Sequence, residues 1–474
     1  AEPTRGGARR LERRPAGHER PPPAPVHPDQ DRTPAGTGRG RARSGTCGDA
    51  GCCTGCDAGQ SRQPGAGIVK KPVTIILLAI LLSACASSPS PVKPPLALTA
   101  LSEATPVVER WNLQVGGGVD DLYLRLRPVF DGKQGFAIDY RGYLVAFDTA
   151  TGNVRWERDL GADVAGALNL SEGLLLLGTS SGRVLALDPA DGKPKWEAQV
   201  SSEVLALPVS DRGIVVARTV DGRLFALSAS DGSQRWVYDR NVPVLTLRGT
   251  SAPVIKDGLV VAGLDSGKLV ALTLDEGTVL WETTIAVPRG RSELERIVDI
   301  DADPVLVGEL AYVATYQGRV ACVDLASGRL IWVRDMSVHS GIAVDPYRVF
   351  VSDAEGRVWA LDRYNGSVLW KQESLLRRAL TGPALTSGYI VVGDFNGFVH
   401  WIKRDSGQIV ARARVGEGDA AAEAKEERVE GEGKEALTPY SRSRNILAAP
   451  VVAGDDLFVY DRRGVLSAFR LAQQ

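Results

Sequence analysis

A fifteen-residue phrase recurs six times with two degenerate copies, strand-type alternation runs inside each copy, and one cognate segment stands alone ahead of the array. Together these predict an all-β chain: an eight-bladed β-propeller of four-stranded antiparallel blades. An N-terminal strand around Trp111 is expected to join the C-terminal blade and close the ring.

The phrase begins at Gly142 (GYLVAFDTATGNVRW) and again at Gly182, Gly222, Gly267, Gly318 and Gly356. Each time a second glycine follows ten residues on and a tryptophan fourteen on. The seventh copy, from Gly397, keeps Gly407 but has Ala411 at the tryptophan position; the eighth, from Gly464, reaches Gln474 before that position arrives. Fourteen residues ahead of the first glycine stands Pro128, Pro208, Pro253, Pro304, Pro383 or Pro450 in six of the eight copies. Proline is tolerated at the first residue of a strand, where no ladder hydrogen bond is lost. β-Branched and aliphatic residues, alternating in part with polar ones, follow each first glycine, as a half-buried strand requires. Asp191-Gly192, Asp231-Gly232 and Asn365-Gly366 are hairpin-turn signals. The last copy lacks a fourth strand, while VERWNLQVGG around Trp111 is similar to PKWEAQV around Trp196 and has no phrase ahead of it. Pairing the two would leave no open sheet edge between first and last blades.

The repeat residues have structural roles first. The tryptophan is expected to bury its ring between neighbouring blades. The position four residues after the first glycine is Ala in five of the six strong copies and Cys322 in the other, so Cys322 reads as a buried substitute for alanine. Trp401 holds that slot in the seventh copy, and Ala411 in place of the tryptophan is expected to be the local compensation.

Ahead of the array, residues 69–84 form a leader: Lys70 and Lys71, then an apolar run too short to cross a bilayer, then Leu82-Ser83-Ala84-Cys85. This resembles a bacterial lipobox. The resemblance implies lipidation of Cys85 as the first mature residue, and Ala86 and Ser87 after it imply the outer membrane, with the protein facing the periplasm. Residues 1–68 are rich in Pro, Gly and Arg and cannot bury a core. We read them as a non-native preamble, with translation starting near Val69; the sole methionine is Met336. The cluster Cys47, Cys52, Cys53, Cys56 lies inside that preamble and lacks a second ligand pair at zinc spacing. Residues 85–105 read as a lipid-anchored tether and 106–474 as the propeller, with a charged insert at 417–445.

Residues after Ala84 carry 43 Lys and Arg against 50 Asp and Glu, which does not attract nucleic acid. Their two histidines, His339 and His400, are far apart in sequence and read as structural, so a histidine metal cluster or catalytic triad is hard to assemble. DIDADP, with Asp299, Asp301 and Asp303, has Pro304 and Leu310 where an EF-hand needs Gly and Glu. It reads as a solvated acidic loop or, with PRGRSELER and LTLRG nearby, as an electrostatic docking patch. No catalytic residue, metal or cofactor is expected.

The Asp-Gly-Trp phrase resembles the repeat of pyrroloquinoline-quinone (PQQ) dehydrogenases and their relatives. With the lipobox, the eight copies, and the strings LTLRGTSAPV, RSELERIVDIDADPV, ALTGPAL and VVGDFNGFVHWI, the chain resembles the BamB family of outer-membrane β-barrel assembly lipoproteins over residues 70–474, the insert excepted. That resemblance implies a non-enzymatic scaffold aiding folding and insertion of outer-membrane proteins. It implies binding to the periplasmic (POTRA) domains of the central barrel protein, with nascent outer-membrane proteins as further partners. The matching contact positions are Leu245, Leu247, Arg248, Asp299 and Asp301. Arg248→Glu, or Asp299→Arg with Asp301→Arg, is expected to abolish capture without unfolding the ring. The rival readings are a quinoprotein dehydrogenase and a scaffold for another envelope complex. Such dehydrogenases often carry an adjacent-cysteine disulfide, whereas Cys52-Cys53 lies ahead of the cleavage point.

Overall fold

The computed structural model describes residues 93–101, 104–240, 243, 245–248, 251–416 and 444–472. The preamble, the leader, Cys85 and nearly all of the 417–445 insert lie outside the described residues.

Eight four-stranded antiparallel sheets follow one another along the chain, each strand pairing with the next in sequence. Blades 1 to 7 span 129–159, 169–199, 209–238, 254–284, 305–335, 342–372 and 384–414. Blade 8 combines Val451–Ala453, Asp456–Tyr460 and Val465–Leu471 with Val107–Gln114 from the head of the chain. Its closing pairs run from Val107 opposite Leu471 to Gln114 opposite Val465. Across the seam to blade 1, Phe130 meets Phe458 at 4.4 Å between ring centroids and Trp111 meets Phe147 edge-on at 5.5 Å. The eight-bladed closed ring is therefore present.

One expectation changes. The strands after each first glycine are not half-buried: Tyr143–Asp148 and Lys268–Thr273 are buried at all but their ends, and Leu224–Ser228 at all but its last residue. Each is covered by a neighbouring blade on both faces, so continuous apolar runs fit there. Only the outermost strands alternate, as in Val279–Thr284.

The spacing of the phrase has a cross-blade cause. The second glycine lies in the left-handed region, Gly366 at φ +72° and Gly192 at φ +69°. There the preceding blade's indole takes the space a side chain would need: a Cβ on Gly366 would lie 2.6 Å from Trp332, and one on Gly407 2.6 Å from Trp370. The indole N–H donates into the same next-blade turn, from Trp196 to the Ala229 carbonyl at 2.8 Å and from Trp111 to that of Thr149 at 3.1 Å. Inside each blade the tryptophan lies opposite the small residue, as Trp156 opposite Ala146 and Trp332 opposite Cys322. Blade 7 inverts this pair, Trp401 opposite Ala411. In sequence, the position ten residues after Gly464 is Gln474, so the eighth copy offers no second glycine to receive an indole. Trp401 instead fills the boundary with blade 8 from the third strand, 6.2 Å from Phe469.

The connection leaving each blade's outer strand for the next blade's inner strand runs over one side of the ring, the loop face; the tight turns within blades after the first and third strands lie on the other, the turn face. Sequence reading passed over one further device. Three residues before the first glycine stands Asp or Thr in seven of eight copies. Its oxygen accepts backbone N–H groups of the following turn, from Tyr143 to Asp139 at 2.8 Å, from Arg183 to Thr179 at 2.9 Å and from Phe398 to Asp394 at 3.0 Å. Buried polar side chains thus satisfy buried backbone donors.

Candidate functional site

Two long connections on the loop face, 239–253 from blade 3 to blade 4 and 285–304 from blade 4 to blade 5, bring the five predicted contact residues together in two layers. Leu245 and Leu247 are 39% and 38% exposed, and Arg248 extends into solvent from a left-handed backbone at φ +61°. Its guanidinium pairs with Glu203 of the blade 2 to blade 3 connection. An exposed pair of this kind adds at most about 1 kcal/mol. Its consequence is positional, since it links two loops at the surface.

The carboxylates lie beneath. Asp299 is fully buried, and its Oδ2 accepts the Leu247 backbone N–H, holding the apolar loop from below. Asp301, 5% exposed, receives Arg125 Nη2 at 2.8 Å. The same Nη2 donates to the His339 carbonyl at 2.8 Å, and Nη1 donates to the Asp301 carbonyl at 3.2 Å. Arg125 belongs to the segment entering blade 1, so it reaches across to the far side of the ring. Asp303 accepts the Ala252 N–H at 2.7 Å and faces Arg127 at 3.9 Å. The three carboxylates of DIDADP are thus engaged by two segments: the 239–253 connection holds Asp299 and Asp303, and the segment entering blade 1 meets Asp301 and Asp303. The solvated-loop reading is corrected for Asp299 and Asp301: alternation places Ile300 and Ala302 in the core and turns the acids toward neighbouring loops, where hydrogen-bonded partners make their burial tolerable.

Burial pushes the Asp299 carboxyl from its ordinary 3.8 up to about 7, with Asp265 and Asp301 adding to the rise and the Leu247 N–H and Arg218 opposing it. Its Oδ1 has no hydrogen-bond partner among the described residues. Below it Arg218 and Asp265 form a buried ion pair at 2.5 Å, and Arg218 also donates to the Ser251 carbonyl at 3.1 Å. A charged, hydrogen-bonded base thus supports a loop whose outward side is two leucines and an arginine. That pattern, apolar anchors with an arginine over a fixed backbone, suits protein recognition.

A family model described as outer membrane protein assembly factor BamB matches residues 108–180 and 140–372. A relative of that name from Pseudomonas aeruginosa is 47% identical over 345 residues, covering 73% of this chain and 91% of its own. The chain belongs to the BamB family. A BamB from Shewanella oneidensis is 32% identical over 404 residues, covering 82% of this chain and 96% of its own. Among solved structures, BamB from Moraxella catarrhalis superposes with a TM-score of 0.66 at 23% identity, covering 77% of this chain and 99% of that one. A quinohemoprotein alcohol dehydrogenase from Comamonas testosteroni superposes with a TM-score of 0.57 at 14% identity, covering 78% of each chain. At such identities these two likenesses show the shared propeller alone.

In this BamB-family chain the structural readings of Cys322 and His400 hold. Cys322 is buried opposite Trp332 in alanine's place, and burial pushes its thiol up to about 11. His400 is fully buried; its Nε2 lies 3.1 Å from Asp394, its Nδ1 accepts from Arg412 at 3.3 Å, and burial lowers its basicity. Sequence reasoning missed Arg125, Arg218 and Glu203. None carries a local motif, and each acts on a residue at least 45 positions away.

Proposed function

We propose that the chain is a non-enzymatic scaffold lipoprotein of the outer-membrane β-barrel assembly machine, held at the outer membrane by lipid on Cys85 and facing the periplasm. It aids folding and insertion of outer-membrane proteins by binding the periplasmic (POTRA) domains of the central barrel protein. Leu245, Leu247 and Arg248 make the contact, and Asp299 and Asp301 position them. One observation carries this reading: two leucines stay exposed on a loop whose backbone a buried carboxylate holds in place. Loops of adjacent blades converge there on a rigid ring, which lowers the ordering cost of association. The resemblance of the lipobox supports the anchor, and the family supports the machine.

The test uses the lipidated chain as bait in detergent-solubilised outer membranes. Leu247→Asp and Arg248→Glu should each weaken capture of the central barrel protein by at least about 30-fold, the loss of a 2 kcal/mol hot spot. The urea midpoint should hold within the ±0.5 kcal/mol usual for surface changes. Asp301→Arg should also lose capture, but with a fall in stability of about 3–5 kcal/mol, because it leaves Arg125 facing a like charge. Undiminished capture by Arg248→Glu removes the site assignment. Dye reduction with alcohols or sugars after addition of PQQ and calcium would overturn the non-enzymatic reading.

A further inference from the structure

The segment between the proposed lipid anchor and the ring does not hang free of the blades where it is described. Arg377 Nε donates to the Pro94 carbonyl at 2.7 Å, Arg378 Nη1 to that of Leu96 at 3.2 Å, and Arg412 Nη1 to that of Thr99 at 3.1 Å. The Leu96 N–H returns a bond to the Leu376 carbonyl at 3.0 Å, and the Thr105 N–H bonds the Val410 carbonyl at 2.8 Å. Leu98 packs against the apolar cluster containing Leu375, Leu380 and Ile390. Three arginines and two backbone bonds thus fix an extended strip across blades 6 and 7.

The seat is rigid as well as polar. Arg378 is 4% exposed; its Nε donates to Asp394 at 2.6 Å, and its guanidinium lies over the Phe395 ring at 5.2 Å. Asp394 in turn faces His400, which accepts from Arg412. Two of the three clamping arginines are therefore joined through one buried network whose members hold each other's geometry. A surface strip lying on chance contacts would not be met by a prepared, buried arginine.

We propose that residues 94–101, with 104 and 105, are a latch that turns the blade 6 and blade 7 rim of the loop face toward the lipid surface, leaving the Leu245 to Arg248 loop, about three blades around the ring, on the periplasmic side. This rests on lipidation of Cys85, as proposed above. Chain reach supplies the reason. Unlatched, the twenty-two residue steps from Cys85 to Val107 would span up to about 75 Å and let any rim approach the bilayer. Latched, only nine steps separate Cys85 from Pro94, or about 30 Å. The latch therefore converts a long leash into a short one attached at one place on the ring.

The experiment reconstitutes the lipidated chain into phosphatidylethanolamine and phosphatidylglycerol vesicles containing a spin-labelled lipid. A fluorophore is placed on a single cysteine at Glu373 of blade 6 or at Arg289 beyond blade 4, both exposed, in a Cys322→Ala background. Quenching is expected to be several-fold stronger at position 373 than at 289, and Leu98→Asp with Arg377→Ala is expected to erase the difference. Hydrogen exchange on the unaltered chain needs no variant: the Leu96 and Thr105 amides are expected to be protected well beyond free-peptide rates. Equal quenching at the two positions, or free-peptide exchange at Leu96 and Thr105, would overturn the proposal. Intact mass separates it from the reading beneath: a mature chain without lipid defeats the anchor and with it the orientation, whereas protection at Leu96 and Thr105 judges the latch itself.

Discussion

Two glycine-to-alanine substitutions separate what the second glycine of each repeat does for its backbone from what it does for the neighbouring blade. Gly366 and Gly388 have nearly the same left-handed conformation, φ +72° and +78°. At Gly388 an added Cβ meets nothing within 4 Å, so Gly388→Ala bears only the left-handed penalty of about 1–2 kcal/mol. At Gly366 the Cβ would lie 2.6 Å from Trp332 Cε3, and the ring cannot withdraw without loosening its 2.9 Å bond to the Arg363 carbonyl. Overpacking of that kind costs a further 1–3 kcal/mol or so, placing Gly366→Ala at about 2–5 kcal/mol in all. Urea unfolding followed by far-ultraviolet circular dichroism gives both values from midpoint shifts at unchanged slope. Equal shifts for the two variants would refute the idea that the Gly and Trp spacing encodes a contact between blades.

Asp299 gives a pH dependence with a defined sign. Its carboxyl is raised from 3.8 to about 7, so the folded state retains a proton that the unfolded chain releases. Stability from this group is complete below about pH 4 and is lost as pH rises to about 7, by at most about 1.4 kcal/mol per unit. Asp299→Asn, which can still accept the Leu247 N–H, should flatten that part of the urea-midpoint profile; an unchanged profile would contradict the assignment. Trp401→Ala should destabilise by about 3–5 kcal/mol, since the ring is 2% exposed. Restoring the usual order with Trp401→Ala and Ala411→Trp together should not recover the loss in calorimetry, because the eighth copy has no glycine ten residues after Gly464.

The blade number, the strand order and the head-to-tail closure were legible because each repeat states its own strands and turns, and because Trp111 lacked a phrase of its own. The five contact positions were legible only through family resemblance, and their layering was not. Asp299 and Asp301 read as solvent-facing acids, since charge favours water unless a partner is supplied; their partners, the Leu247 amide and Arg125, come from segments 52 and 176 residues away. The docking of residues 94–101, with 104 and 105, was hidden for a similar reason. PLALTAL has no strong period of its own, and the arginines that clamp it lie nearly three hundred residues downstream.

The most direct test of the whole account is site-specific photo-crosslinking in cells. A photoreactive residue at Leu247 on the loop face, and another at Tyr364, 60% exposed on the turn face, sample the two sides of one ring. The account predicts an adduct with the central barrel protein from position 247 and none from 364. An adduct from 364 alone would place the partner on the wrong face and contradict it.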